Sequence, residues 1–99
     1  MLTARADVPT TTPGRYAKQL VAHFGEKVAV RQHGDHADFP VDGGHGAIQV
    51  GDGVLVLIAE APDIAQLTRI KNALGRHLER FAARQEITVV WQPTAIAHG

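Results

Sequence analysis

PDIAQLTRIKNALGRHLERFAAR, running from Pro62 to Arg84, is the longest periodic segment of the chain. Ile64, Leu67, Ile70, Leu74, Leu78 and Phe81 recur at spacings of three and four, which places them in one stripe along a helix. Pro62 suits the first turn, and Asp63 complements the positive end of the helix dipole. Every other segment is short and reads as something this helix packs on or beside.

The segments before it alternate. Ala4, Ala6 and Val8 face opposite to Thr3, Arg5 and Asp7, the pattern of a half-buried strand. Thr12-Pro13 is a helix start, with a hydroxyl to cap and proline at the first helical position. Tyr16, Ala17, Leu20, Val21 and Phe24 then form an apolar face, and Gly25 stands where a left-handed C-terminal cap belongs. Val28 to Gln32, His36 to Pro40 and His45 to Val50 read as strands separated by His33-Gly34-Asp35 and Asp42-Gly43-Gly44 turns. Gly51-Asp52-Gly53 is the clearest hairpin turn. VLVLIA, Val54 to Ala59, is apolar at every position, so the sheet is either covered on both faces or meets a second copy of the chain there.

After the long helix, Ile87, Val89 and Trp91 alternate with Thr88, Val90 and Gln92, giving a last strand over Glu86 to Gln92. Pro93 to Gly99 carries no pattern and reads as a frayed tail. The order β-α-β-β-β-β-α-β, with short turns between the middle strands, predicts an antiparallel sheet with two helices on one face. That is a two-layer α+β sandwich.

Ninety-nine residues make one domain, with a core over about 3–92. A chain of this length buries about two-thirds of its unfolded surface, enough for a core without staples. Cysteine is absent, which removes disulfides, thiolate metal sites and cysteine nucleophiles. Serine is absent as well, which removes serine triads. Ten basic residues balance ten acidic ones, so nothing draws the whole chain to nucleic acid or an anionic membrane. No apolar run approaches the ~20 residues of a membrane span. The N-terminal residues lack the apolar core of a signal peptide, and the expected location is the cytoplasm.

Three phrases carry a family resemblance: ARADVPTTTPGRYAKQL near the start, GRHLERFA in the long helix, and ITVVW near the end. With RYAKQLVAHFGEKV they make the chain similar to the small bacterial domain-of-unknown-function-2218 family over about residues 3 to 92. The resemblance implies a TATA-box-binding-protein-like fold, shared with the C-terminal domain of phosphohexomutases. It implies no activity and no cofactor. It does imply an association with siderophore-interacting, flavin-type ferric-reductase proteins. HGDHADFPVDGGHG, His33 to Gly46, departs from the family pattern.

Three groups of residues are candidates for chemistry. His77 lies at the rim of the long helix's apolar stripe, and His23 at the equivalent rim of the first helix, each within a phrase of the resemblance. Histidine titrates near neutral pH and coordinates metals, so a pair at the helix seam reads as a ligand, proton or metal site, or as two packing residues. Arg69, Arg76, Arg80 and Arg84 follow one ridge of the long helix and read as an anion site, or as a solvated face with Glu79 available to Arg76. His33, Asp35, His36, Asp38, Asp42 and His45 offer nitrogen and oxygen ligands without a compact metal spacing, and read more simply as turn residues. Gly75 beside the apolar stripe costs ~1 kcal/mol against alanine, which suggests that another element approaches closely there. Trp91 and Phe39 read as core.

The functional reading placed first is a non-catalytic binding or accessory module. Its partner would be a siderophore-interacting reductase or a small anionic ligand on Arg76, His77 and Arg80. A structural homodimer through the sheet face comes second. A small enzyme using His23 and His77 as acid and base comes third.

Overall fold

The computed structural model describes residues 1–41 and 43–96. Its elements are β1 (Leu2–Pro9), α1 (Pro13–Gly25), β2 (Arg31–His33), β3 (His36–Val41), β4 (Gly44–Gly51), β5 (Val54–Ala61), α2 (Ile64–Phe81) and β6 (Ala95–Ile96). Among the described residues these six strands form one antiparallel sheet in the order β2-β3-β4-β5-β1-β6. Both helices lie on the same face of it, giving the α+β architecture that the hydrophobic periods predict.

α2 is the centre of the core. Leu67, Ile70, Leu74 and Leu78 are fully buried, each worth about 1.5–3 kcal/mol of transfer free energy. They meet Leu55, Leu57, Ala59 and Ala61 of β5 and the inward residues Ala4, Ala6 and Val8 of β1. Ile64 is not part of this stripe: it precedes the point where the helix meets the sheet and is 59 % exposed. Asp63 caps the helix directly, its carboxylate accepting the Gln66 N–H at 2.8 Å.

The register shows how α2 seats itself. Ala4 pairs with Ala59, Ala59 with Gly46, and Gly46 with Phe39. This row is nearly empty of side chain until Phe39; Leu74 settles over it, and Ile70 settles over Gly44 beside it. A Cβ on Gly46 would stand 2.9 Å from the Phe39 ring, and one on Gly44 would stand 2.6 Å from Ile70 Cδ1. β4 therefore begins at Gly44 rather than His45, and its first two inward positions must be glycine.

Several local readings need correction. α1 continues through Gly25, and Glu26, in ordinary right-handed geometry, ends it; Gly25 is not a left-handed cap. Thr12 does not cap the helix, since its hydroxyl is buried without a partner and its own N–H donates to Thr10 Oγ1 at 3.2 Å. The strand expected over Val28 to Gln32 is confined to Arg31–His33, because Val28 and Val30 are used in packing beneath the helix end. α2 stops at Phe81, and a short 3-10 turn over Ala83–Gln85 follows. Glu86 at φ 54° then turns the chain back.

The last strand is the largest correction. Residues 87–92 are extended, and Ile87, Val89 and Trp91 do turn inward against the core. They do not form a ladder. They run as a strap along α2, tied by the Val89 N–H to Glu79 Oε2 at 2.9 Å and by the Gln92 N–H to the Arg5 carbonyl at 2.8 Å. The sixth strand is Ala95–Ile96, inside the segment read as a tail, and it pairs with Thr3 and Leu2 of β1. The rest of that tail, 97–99, lies outside the described residues.

Among the described residues no helix lies on the outer face of the sheet. Val54, Val56 and Ile58 stand on it, and Val56 is only 7 % exposed because Asp7 and Gln49 flank it in the register.

The two kinds of glycine predict opposite responses to one substitution. At Gly75 a Cβ would meet Trp91 Nε1 at 3.4 Å and Val89 at 3.5–3.6 Å, ordinary contact distances. Gly75→Ala is expected to hold or raise stability by up to ~1 kcal/mol through helix propensity. Gly75→Leu pushes the strap away and is expected to cost about 1–3 kcal/mol. Gly46→Ala is expected to destabilise, since the Phe39 ring has nowhere to retreat. Urea denaturation midpoints check all three; similar losses for Gly75→Ala and Gly46→Ala would refute the assignment of the strap.

Candidate functional site

The two helix histidines meet. The His23 and His77 ring centroids are 4.1 Å apart with planes inclined by 50°. Helical spacing places each at the edge of its buried stripe, and packing both helices on one sheet face brings the edges together. Phe24 holds the pair from below: it stacks on the buried Phe39 ring at 4.6 Å and meets His77 edge-on at 5.5 Å. Phe81 closes the other side, 6.0 Å from His23. The rings thus stand on an aromatic floor, half-buried and close-packed.

His77 is held below the ordinary histidine pKa, first by burial and then by the positive charges of His23, Arg80 and Lys27 around it. At neutral pH it is an uncharged imidazole in a cationic setting. An anion placed beside it would reverse the balance of charge and favour its protonation.

The arginine ridge is only partly as the spacing implies. Arg69, Arg76 and Arg80 line one concavity together with Asn72, Ala73 and His77. Arg84 does not join them, because α2 ends before it; it faces a second concavity with Arg15, Tyr16, Gln19 and Arg80. Glu79 is not the counter-charge of Arg76, since its carboxylate receives the Val89 N–H of the strap. Among the described residues Arg69, Arg76, Arg80 and Arg84 form no ion pair with a carboxylate.

Lys27 and Phe24 belong to this site and were not among the residues that sequence reasoning proposes. Phe24 carries only a core signal in its helical period. Lys27 follows the helix end, where no periodicity marks it. Arg15, which lines the second concavity with Arg84, lies on α1 outside its apolar face, where no spacing singles it out.

The third group divides. His36, Asp38 and His45 meet on the outer face of the sheet, because positions on β3 and β4 that share a face are neighbours across the register. His45 Nε2 donates to Asp38 Oδ1 at 3.3 Å, and His36 Nε2 lies 3.5 Å from Asp38 Oδ2. The other nitrogen of His36 faces Gln49 Oε1 at 3.1 Å. His33 and Asp35 stand at the β2–β3 hairpin without side-chain partners among the described residues. Asp42 lies outside the described residues. No group of three or more described His, Asp or Glu side chains is disposed to hold a metal ion.

The lowered pKa of His77 predicts a pH dependence with a definite sign. Well above pH 6.5 the ring is neutral in both the folded and unfolded chain. As pH falls below that value the unfolded chain takes up the proton first, so the native state loses stability until pH has passed the lowered folded value. Replacing His77 with Gln removes that contribution. The stability difference between the native protein and His77→Gln is expected to be constant above pH 7 and to shift in favour of the variant on acidification. Denaturation curves from pH 8 to pH 5 measure it, and parallel profiles would contradict it.

A family model described as an uncharacterized protein conserved in bacteria (DUF2218) matches residues 5–92. The NMR structure of PA4090 from Pseudomonas aeruginosa is similar to this chain with a TM-score of 0.79 and 24 % identity. The match covers 94 % of this chain and 97 % of that one. At that identity the likeness concerns the fold. No curated protein matches the chain. No described helix is long and apolar enough to cross a membrane. With the family match extending from β1 through both helices and the strap, the chain belongs to the DUF2218 family.

Proposed function

We propose that this domain is a cytoplasmic, non-catalytic binding module whose site is the seam between α1 and α2, with Arg76, His77 and Arg80 at its centre. One observation carries the reading: three arginines line a concavity beside the His23–His77 contact without a described carboxylate to neutralise them. Guanidinium groups in that condition suit phosphate or carboxylate groups, which they bind through paired hydrogen bonds. The ligand is a small anion, or an acidic patch on a siderophore-interacting reductase of the kind the family resemblance suggests.

The histidine contact supports binding over acid–base catalysis. Rings whose centroids are 4.1 Å apart are in van der Waals contact, so no reacting group fits between them. A homodimer through Val54, Val56 and Ile58 is the second reading, favoured by the absence of a described helix over that face.

Thermal-shift and calorimetric titrations with inorganic phosphate, citrate, ferric siderophores and the purified reductase test the first reading. A ligand at 100 times its Kd is expected to add about 2.7 kcal/mol, a rise of several degrees in Tm. Arg76→Gln with Arg80→Gln is expected to weaken binding by at least about tenfold, since each lost charge-assisted bond is worth about 1.5–3 kcal/mol. Saturable binding that ignores both substitutions would move the site elsewhere. No binding by any of these, with a dimer in sedimentation at high concentration, would leave the second reading in its place.

A further inference from the structure

The cationic concavity has a neighbour of different character. On the other side of Ala73 and His77 lies a second cleft, lined by His23, Phe24, Lys27, Val28, Pro40 and Val41. The two share Ala73 and His77, so they adjoin across one turn of α2. Their characters differ. The first is walled by Arg69, Arg76 and Arg80. The second has an aromatic wall in Phe24 and aliphatic walls in Val28, Pro40 and Val41, with Lys27 at its rim. No described carboxylate lines either one. At about 530 and 310 Å³ they lie in the size range of small-molecule sites.

Phe24 matters most here. It is pinned by stacking on Phe39 and by edge contacts with both histidines, so it offers a fixed face rather than a mobile side chain. A rigid aromatic surface next to fixed cations discriminates by shape as well as charge. Neither a bare inorganic anion nor a neutral hydrocarbon uses both concavities.

We infer that the seam takes an amphipathic small anion, with an apolar planar body against Phe24, Val28, Pro40 and Val41 and a phosphate or carboxylate head on Arg76, Arg80 and His77. This rests on the anion-site reading above and adds the chemical class of the ligand. It also gives His77 a role. The ring stands at the junction of the two, where a neutral imidazole tolerates the apolar body and a protonated one pairs with the head.

Isothermal titration of the full chain with 1-naphthyl phosphate, 1-naphthol and inorganic phosphate is the test. The phosphate monoester is expected to bind at least about tenfold more tightly than inorganic phosphate, about 1.4 kcal/mol. It should also bind more tightly than the neutral naphthol. Val28→Asn and Val41→Asn, which make the apolar wall polar, add no charge and lie outside the arginine concavity, should each remove the advantage over inorganic phosphate. Both should leave inorganic phosphate binding intact, with folding verified by far-UV dichroism. Arg76→Glu should weaken both phosphates. If inorganic phosphate binds and the monoester binds no better, the amphipathic class is wrong and the anion site stands. If neither phosphate binds at millimolar concentration, or if naphthol binds as well as its phosphate and Arg76→Glu changes nothing, both readings fall.

Discussion

The arrangement depends on an absence of side-chain volume. Between Ala4, Ala59 and Gly46 the sheet offers almost no bulk, and α2 sinks onto that floor through Leu74, with Ile70 over Gly44 beside it. Close approach increases dispersion contact along the whole helix. It also fixes the height at which α1 must lie beside it, and so the meeting of His23 with His77. Phe39, at the end of the same row, fills the volume where the floor stops and carries Phe24 on its upper face. The aromatic base of the candidate site is thus the edge of the packing scheme that holds the domain together.

The two helices and the hairpins are legible in the sequence because their signals are local. A stripe of period 3.6, an aspartate before it and paired glycine turns act within a few residues of where they stand. The strap and the final strand are not legible in the same way. Ile87, Val89 and Trp91 alternate as a strand does, and they do bury the alternating residues. Whether such a segment joins a ladder depends on which edge is free to receive it. The strap first touches the edge of β1 at Gln92, whose N–H donates to the Arg5 carbonyl, and ladder pairing follows only at Ala95–Ile96, after the strap has crossed α2. Gly44 misleads for a related reason: a glycine that opens a turn and one that admits a helix look alike until the opposing surface is known.

The site divides along the same line. His23 and His77 can be assigned to helix rims from periodicity alone, and packing both helices on one face brings them together. The charge state of the arginine face cannot be read that way. Glu79 sits at a spacing that suits a pair with Arg76, yet its carboxylate is taken by a backbone N–H more distant in sequence. A buried-edge amide without a partner is costly, so the strap's claim on the carboxylate exceeds that of an exposed guanidinium. The basic face owes its uncompensated charge to a structural bond elsewhere. Lys27 joins the site by the path of the chain after α1, which no spacing rule describes, and Phe24 joins it from within α1, where its period marks it only as core.

The position of β1 also governs the order in which this chain can be assembled. β2 to β5 form a meander whose pairings join neighbours in sequence, and such contacts close quickly. β1 is made first, yet its principal partner β5 ends at Ala61, and its other neighbour, β6, lies near the end of the chain. Emerging from the ribosome, the first strand has no edge to join until most of the sheet exists behind it. Arg5 and Asp7 put charged side chains on the outward face of that strand. Sheet completion is therefore a late, long-range closure, and the free edge of β5 is the surface the nascent chain must keep from foreign strands until it occurs.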